Sequence, residues 1–157
     1  MSGMKTKTIG LSFILCLAAG AFCLAADDPM MGTWKLNEAK SKITPGGPKN
    51  TTVVYAAAGD QIKITVDGTD ADGKSSHSEW TGKFDGKDYP VTGDATADMR
   101  SYKKEGKDLE LTNKKDGKVT VTGKVVVSAD GKTRTVTISW TDAKGAKMTS
   151  TAVYDKS

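Results

Sequence analysis

The sequence predicts an all-β protein, an antiparallel up-and-down β-barrel of about eight to ten strands. One observation behind that expectation is the tripeptide Asp-Gly-Lys, which occurs four times, at 72–74, 85–87, 116–118 and 130–132. Asp tolerates the left-handed region and Gly enters it without steric cost, so each pair fits the type I′ turn that reverses a hairpin. The runs between these turns alternate apolar residues with Thr or charged ones, the two-residue period of a half-buried strand. Finally, no stretch beyond residue 26 sustains a 3.6-residue apolar period.

Ten segments have the strand pattern. They are 32–37, 51–57, 61–67, 75–81, 87–91, 99–104, 109–113, 119–127, 133–141 and 147–155. The third places Ile62, Ile64 and Val66 on one face, and the ninth places Val136, Ile138 and Trp140 on one face with Thr135, Thr137 and Ser139 on the other. In the eighth, Val119, Val121, Val125 and Val127 are expected on one face, with Gly123 marking a bulge or bend. Residues 37–42 have room for one helical turn before Pro45-Gly46-Gly47-Pro48 forces a loop. Sequential hairpins with short turns build a meander, and closing it removes the exposed edges of an open sheet. A barrel is therefore favoured over a sandwich.

The amino-terminal 25 residues are expected to be a secretory signal peptide. Lys5 and Lys7 precede an uncharged apolar run from Ile9 to Leu24, and Ala25-Ala26 is followed at once by Asp27, Asp28 and Pro29. The small-residue rule then starts the mature chain at Ala26 or Asp27. An uncleaved anchor is disfavoured because the run falls short of the ~20 residues that span a bilayer, and Phe22 in front of Cys23 disfavours lipidation. Residues 26–157 are expected to form a single exported domain, periplasmic or extracellular, with no membrane span. Both cysteines, Cys16 and Cys23, fall in the leader, so no disulfide or cysteine chemistry is available to the mature chain. Without Lys5 and Lys7, 21 of the 23 basic residues remain against 19 acidic ones, a net charge of +2. Lysines are spread over every turn rather than gathered in a stripe, which argues against nucleic acid as a partner. A monomer is expected.

Met31-Gly32-Thr33-Trp34-Lys35-Leu36-Asn37 at the start of the domain and Thr151-Ala152-Val153-Tyr154-Asp155-Lys156 at its end together resemble the calycin superfamily. The Gly-x-Trp opening is similar to the lipocalin signature and the whole opening is similar to that of intracellular fatty-acid-binding proteins, whose last strand ends in a Thr-Arg-x-Tyr-Glu-Lys pattern. The stretches 34–41 and 85–90 also resemble a group of exported bacterial lipocalin-like proteins of unknown function. The resemblance implies a barrel with an interior cavity for a small apolar ligand and makes Trp34 a packing plug at the barrel base. Two departures alter what it implies. Ala152 stands where the fatty-acid-binding family has the Arg that grips the ligand carboxylate, so fatty acids are expected to bind little better than neutral compounds. Residues 37–50, with two prolines and two glycines, are too few for the family's helical lid.

Chemistry in the sequence is sparse. His77, the one histidine, sits in a polar run with Ser76, Ser78 and Glu79, with no nucleophile elbow nearby, and reads as a solvent-facing strand residue. One His and no mature Cys exclude the usual zinc sets. Asp70, Asp72, Gly73 and Glu79 match part of a calcium loop, but Gly68 occupies its first ligand position and strands flank it, so a hairpin turn is expected. No metal, cofactor or catalytic set is expected. Arg100 and Arg134 are the two arginines. Arg134 shares a face with Val136, Ile138 and Trp140 and is either an inward anion anchor or, the favoured reading, a strand-end residue reaching water.

The expected function is therefore non-enzymatic binding of a small apolar or amphipathic ligand inside the barrel. The candidate contacts, chosen by face and size, are Tyr55, Ile64, Trp80, Phe84, Met99, Tyr102, Leu111, Val121, Arg134, Ile138, Trp140 and Tyr154. The alternative is a structural or protein-interaction module whose barrel is filled by these same side chains.

Overall fold

The computed structural model describes residues 28–157; the expected leader and its cleavage site lie outside the described residues. Ten antiparallel strands form one closed barrel: β1 (Gly32–Leu36), β2 (Lys49–Ala58), β3 (Gln61–Thr69), β4 (Ser75–Gly82), β5 (Tyr89–Thr92), β6 (Met99–Glu105), β7 (Asp108–Lys115), β8 (Lys118–Val127), β9 (Thr133–Thr141) and β10 (Lys147–Lys156). Each strand pairs with its neighbours in sequence, and β1 closes the ring against β10 through Trp34↔Lys156 and Leu36↔Tyr154. This is the up-and-down barrel that the alternation predicts, and it is compatible with a calycin-like fold. A single 3-10 turn, Glu38–Lys40, occupies the β1–β2 connection. The chain then runs beside β10, with Lys42 bridged to Thr151 and the Thr44 amide donating to Ser150 Oγ at 2.9 Å. Among the described residues no helical lid stands between β1 and β2. Among the described residues no helix is long and apolar enough to cross a membrane.

The turn chemistry differs from the type I′ expectation. Only Asp116-Gly117 has both residues at positive φ, 50° and 76°. At Asp72-Gly73 and Asp130-Gly131 the Gly alone is left-handed, as in a type I turn followed by a left-handed residue. Gly73 N–H donates to Asp70 O, and Asp70 Oδ1 accepts from the amides of Asp72 and Lys74, both at 2.9 Å. The Asp70 carboxylate is thus engaged with backbone, and Glu79 pairs with Lys63. Asp85-Gly86 lies in the longer β4–β5 connection rather than in a two-residue turn, and it bridges to β6, with Asp85 opposite Lys103 and Gly86 N–H donating to Tyr102 O.

The bulge in β8 lies three residues earlier than expected. Asn113 pairs with Val121 and Lys114 with Val119, so Thr120 is the extra residue and Gly123 stays in regular register between Leu111 and Ile138. The bulge turns Val119 out of the common face, leaving it 57% exposed, whereas Val125 and Val127 are buried. The strand thus keeps three inward valines rather than four.

The two ends of the barrel are packed differently. The end near the N-terminus is solid. Trp34 is fully buried, its Nε1–H donates to Met30 O at 2.9 Å, and Met30 plugs the base beneath it. Lys156 lies over the outer part of the same indole, 5.1 Å from the ring centroid, and donates to Pro29 O at 3.0 Å. Ile64, Leu109 and Val127 complete this layer, while Trp80 packs between Phe84, stacked at 6.3 Å, and Tyr102, edge-on at 4.9 Å. The other end is open.

Candidate functional site

Towards the open end the inward side chains of β9, Val136, Ile138 and Trp140, are only half-buried, as are Val66 of β3, Leu111 of β7 and Val121 of β8. They face a cavity of about 770 Å³. Its walls are the inner faces of nearly every strand, so the same alternation that builds the barrel also makes the cavity wall apolar. The mouth is ringed by the connections at Gly46–Pro48, Asp70–Ala71 and Gly93–Thr96 and by the β7–β8 and β9–β10 ends. Trp140 forms one side of the rim. Its indole lies so close to Gly47 that a Cβ there would stand 2.9 Å from the ring.

Across the rim, the β5–β6 loop is held by an inward-facing ion pair. Arg100 Nη2 donates to Asp94 Oδ2 and Arg100 Nε to Asn113 Oδ1, both at 2.7 Å. Asp94 in turn accepts from the amide and the hydroxyl of Thr96. Gly93 sits at φ 77° with its α-carbon face against β4, where any Cβ would meet the carbonyl oxygen of His77 at 2.0 Å. The loop follows this path only with Gly there.

At the floor of the cavity lies Arg134, the first inward residue of β9. It is 2% exposed, so the strand-end reading favoured from the sequence is corrected. Its register partners are Tyr154 on β10 and Val127 on β8, both buried, so the side chain ends at the cavity floor rather than in bulk solvent. Three rings surround the guanidinium, with centroids at 4.6 Å for Tyr154, 5.0 Å for Tyr55 and 5.2 Å for Trp34. Its Nε and Nη1 are enclosed without a hydrogen-bond partner. Burial pushes the Tyr154 phenol up to about 12, against the opposing pull of Arg134, and raises Tyr102 further. Tyr154 Oη donates to Asn50 O at 3.0 Å. Both phenols are therefore neutral at physiological pH.

Eight of the sequence candidates line the cavity: Tyr55, Tyr102, Leu111, Val121, Arg134, Ile138, Trp140 and Tyr154. Four do not. Ile64 and Trp80 belong to the solid layer, and Phe84 lies in the β4–β5 connection, packed on Trp80 and Tyr102. Met99 points outward, because Arg100 and Tyr102 take the inner positions of β6. The sequence reading missed Val53, Val66, Val125 and Val136 as lining groups, although alternation marks each of them, and it missed Asn113, whose inward amide is the partner of Arg100.

His77 lies on the outer surface of β4, its side chain 57% exposed, with Nδ1 2.6 Å from Asp67 Oδ1 and Nε2 3.7 Å from Glu79 Oε1. The hydrogen bond to Asp67, with a smaller contribution from Glu79, raises its pKa above the ordinary imidazole value. A raised folded-state pKa stabilises the fold below the unfolded value, near 6.5, and that contribution is lost as pH rises through the folded value. In an NMR titration of the ring protons, the midpoint is expected above 6.5 in the parent protein and closer to 6.5 in Asp67→Asn. Equal midpoints would show that the pair does not persist in solution. Among the described residues no group of three or more His, Cys, Asp or Glu is placed to hold a metal ion. No protein-family model matches the chain, and no curated protein matches it.

Proposed function

We propose that this protein is an exported, non-enzymatic carrier or sensor of a small amphipathic molecule, bound inside the barrel in the manner of calycins. The cavity carries this reading. A filled barrel buries its inward residues uniformly, whereas here Val136, Ile138 and Trp140 are packed on one side only and face about 770 Å³ of open space. That volume lies within the range of small-molecule sites, roughly 300–1,000 Å³. The lining is mostly apolar with a few polar groups at the floor and rim, the distribution that orients an amphipath. The calycin assignment is supported by the closed ten-strand topology and by Trp34 at the base beneath Lys156. Export is supported by the apolar leader ahead of Asp27.

Native mass spectrometry of protein recovered from the periplasm or medium of its host tests the whole reading, because one spectrum gives both the mature mass and any retained adduct. The expected result is a monomer starting at Ala26 or Asp27. An environment-sensitive apolar dye is expected to bind with a stoichiometry near one, and Ile138→Trp, which places an indole in the cavity, is expected to weaken that binding at least tenfold while leaving the unfolding midpoint nearly unchanged. If the folded protein takes up no dye and no lipid, the barrel is a structural or partner-binding module instead.

A further inference from the structure

We propose that the ligand carries a single negative charge, a carboxylate, and enters head first so that this group sits on Arg134 at the cavity floor. The proposal rests on the cavity being a binding site and adds the chemistry of the ligand. Arginine stays protonated at every physiological pH, and a buried cation is strongly unfavourable without a counter-charge or hydrogen bonds. The ring faces of Trp34, Tyr55 and Tyr154 supply part of that compensation. They supply no acceptor for Nε and Nη1, which remain buried and unpartnered. Among the described residues no carboxylate lies within 4 Å of the guanidinium.

The contrast with Arg100 is informative. That side chain, equally inward, is neutralised by Asp94 and capped by Asn113. The other charged side chains at the mouth, Asp70 and Lys115, belong to the partly or fully exposed rim, and the His77 ring lies on the outer surface. The interior therefore holds one uncompensated positive charge at its floor. One carboxylate balances it, whereas a phosphate monoester, at −1.5 to −2, leaves an excess negative charge among aromatic rings. The wall above Arg134, formed by Val136, Ile138 and Trp140, is apolar up to the rim, which suits an alkyl or polyisoprenoid tail. This reverses the expectation drawn from Ala152, because the cation stands on β9 rather than on β10.

The test is isothermal titration of the mature protein with dodecanoic acid, dodecanol and dodecyl phosphate, which share one tail and differ in head group. Dodecanoic acid is expected to bind at least tenfold more tightly than dodecanol and more tightly than dodecyl phosphate. Arg134→Met, which keeps the length of the side chain and removes the charge, is expected to bind acid and alcohol equally, with an unfolding temperature in the ligand-free state no lower than that of the parent. Equal binding of acid and alcohol by the parent overturns the proposal and leaves the cavity reading intact, as does a preference for the phosphate. Binding of none of the three by folded parent protein overturns both. Should Arg134→Met fail to fold, a structural role for the cation is shown, and the acid-to-alcohol ratio of the parent alone decides the proposal.

Discussion

Trp34→Ala is expected to lower the unfolding free energy by about 3–5 kcal/mol, the usual loss for a large aromatic removed from a solid core. The side chain is fully buried at the end of the barrel where nothing can collapse into the gap. Its neighbours belong to strands whose positions are fixed by the ring closure of β1 on both β2 and β10. The indole also holds the chain entering the barrel. Its Nε1–H bonds to Met30 O, and Met30 in turn is anchored by its amide to Asp28 Oδ1 at 3.0 Å. Trp34→Phe separates the two contributions. It keeps most of the apolar area and loses the hydrogen bond, and is expected to cost about 1–2 kcal/mol. Urea unfolding followed by circular dichroism measures both. A loss below about 1 kcal/mol for the Ala variant would show that the base is not closed by this side chain.

The strands were legible in the sequence because each has one wet and one dry face. The pattern at Thr135, Thr137 and Ser139 against Val136, Ile138 and Trp140 admits one period only, and the structure places β9 over the same nine residues. The turns were half legible. Asp-Gly marks where the chain reverses, but the pair serves a type I turn with a left-handed Gly as well as it serves type I′, and the choice depends on strand register. The bulge was misplaced for a related reason. Glycine is a frequent marker of irregularity, yet Gly123 is in the ladder because its missing side chain admits Ile138, whose Cγ2 would lie 3.0 Å from a Cβ, and the true irregularity falls on an unremarkable Thr120. Alternation gave the face of Arg134 but not its depth. Depth is set by the stagger between strands, which brings Arg134 level with Tyr154 and Val127, and no local pattern encodes that stagger. Met99 shows the converse error, since a large apolar residue was assigned inward although the charged Arg100 beside it holds the inner position.

Arg100→Met is expected to destabilise the protein by about 2–3 kcal/mol, somewhat below the 3–5 kcal/mol typical when one partner of a fully buried pair is removed. The side chain of Arg100 is 8% exposed and that of Asp94 is 18% exposed, so the abandoned carboxylate retains some water. Asn113 Oδ1 loses its donor as well. The pair is only partly accessible to ions, so most of the loss is expected to persist in 1 M salt, where an exposed pair such as Lys40 with Asp155 contributes almost nothing. Arg100→Met combined with Asp94→Asn removes both charges together and is expected to recover at least 1 kcal/mol of the loss, the coupling that a double-mutant cycle reads. A cycle with no coupling would show that the rim loop is held by Gly93 and Thr96 alone. The same double variant separates the two arginines functionally. It neutralises the rim without touching the floor, so the preference for a carboxylate over an alcohol is expected to survive in it and to disappear in Arg134→Met. If the preference instead follows Arg100, the anion sits at the rim and the charge at the floor serves the fold.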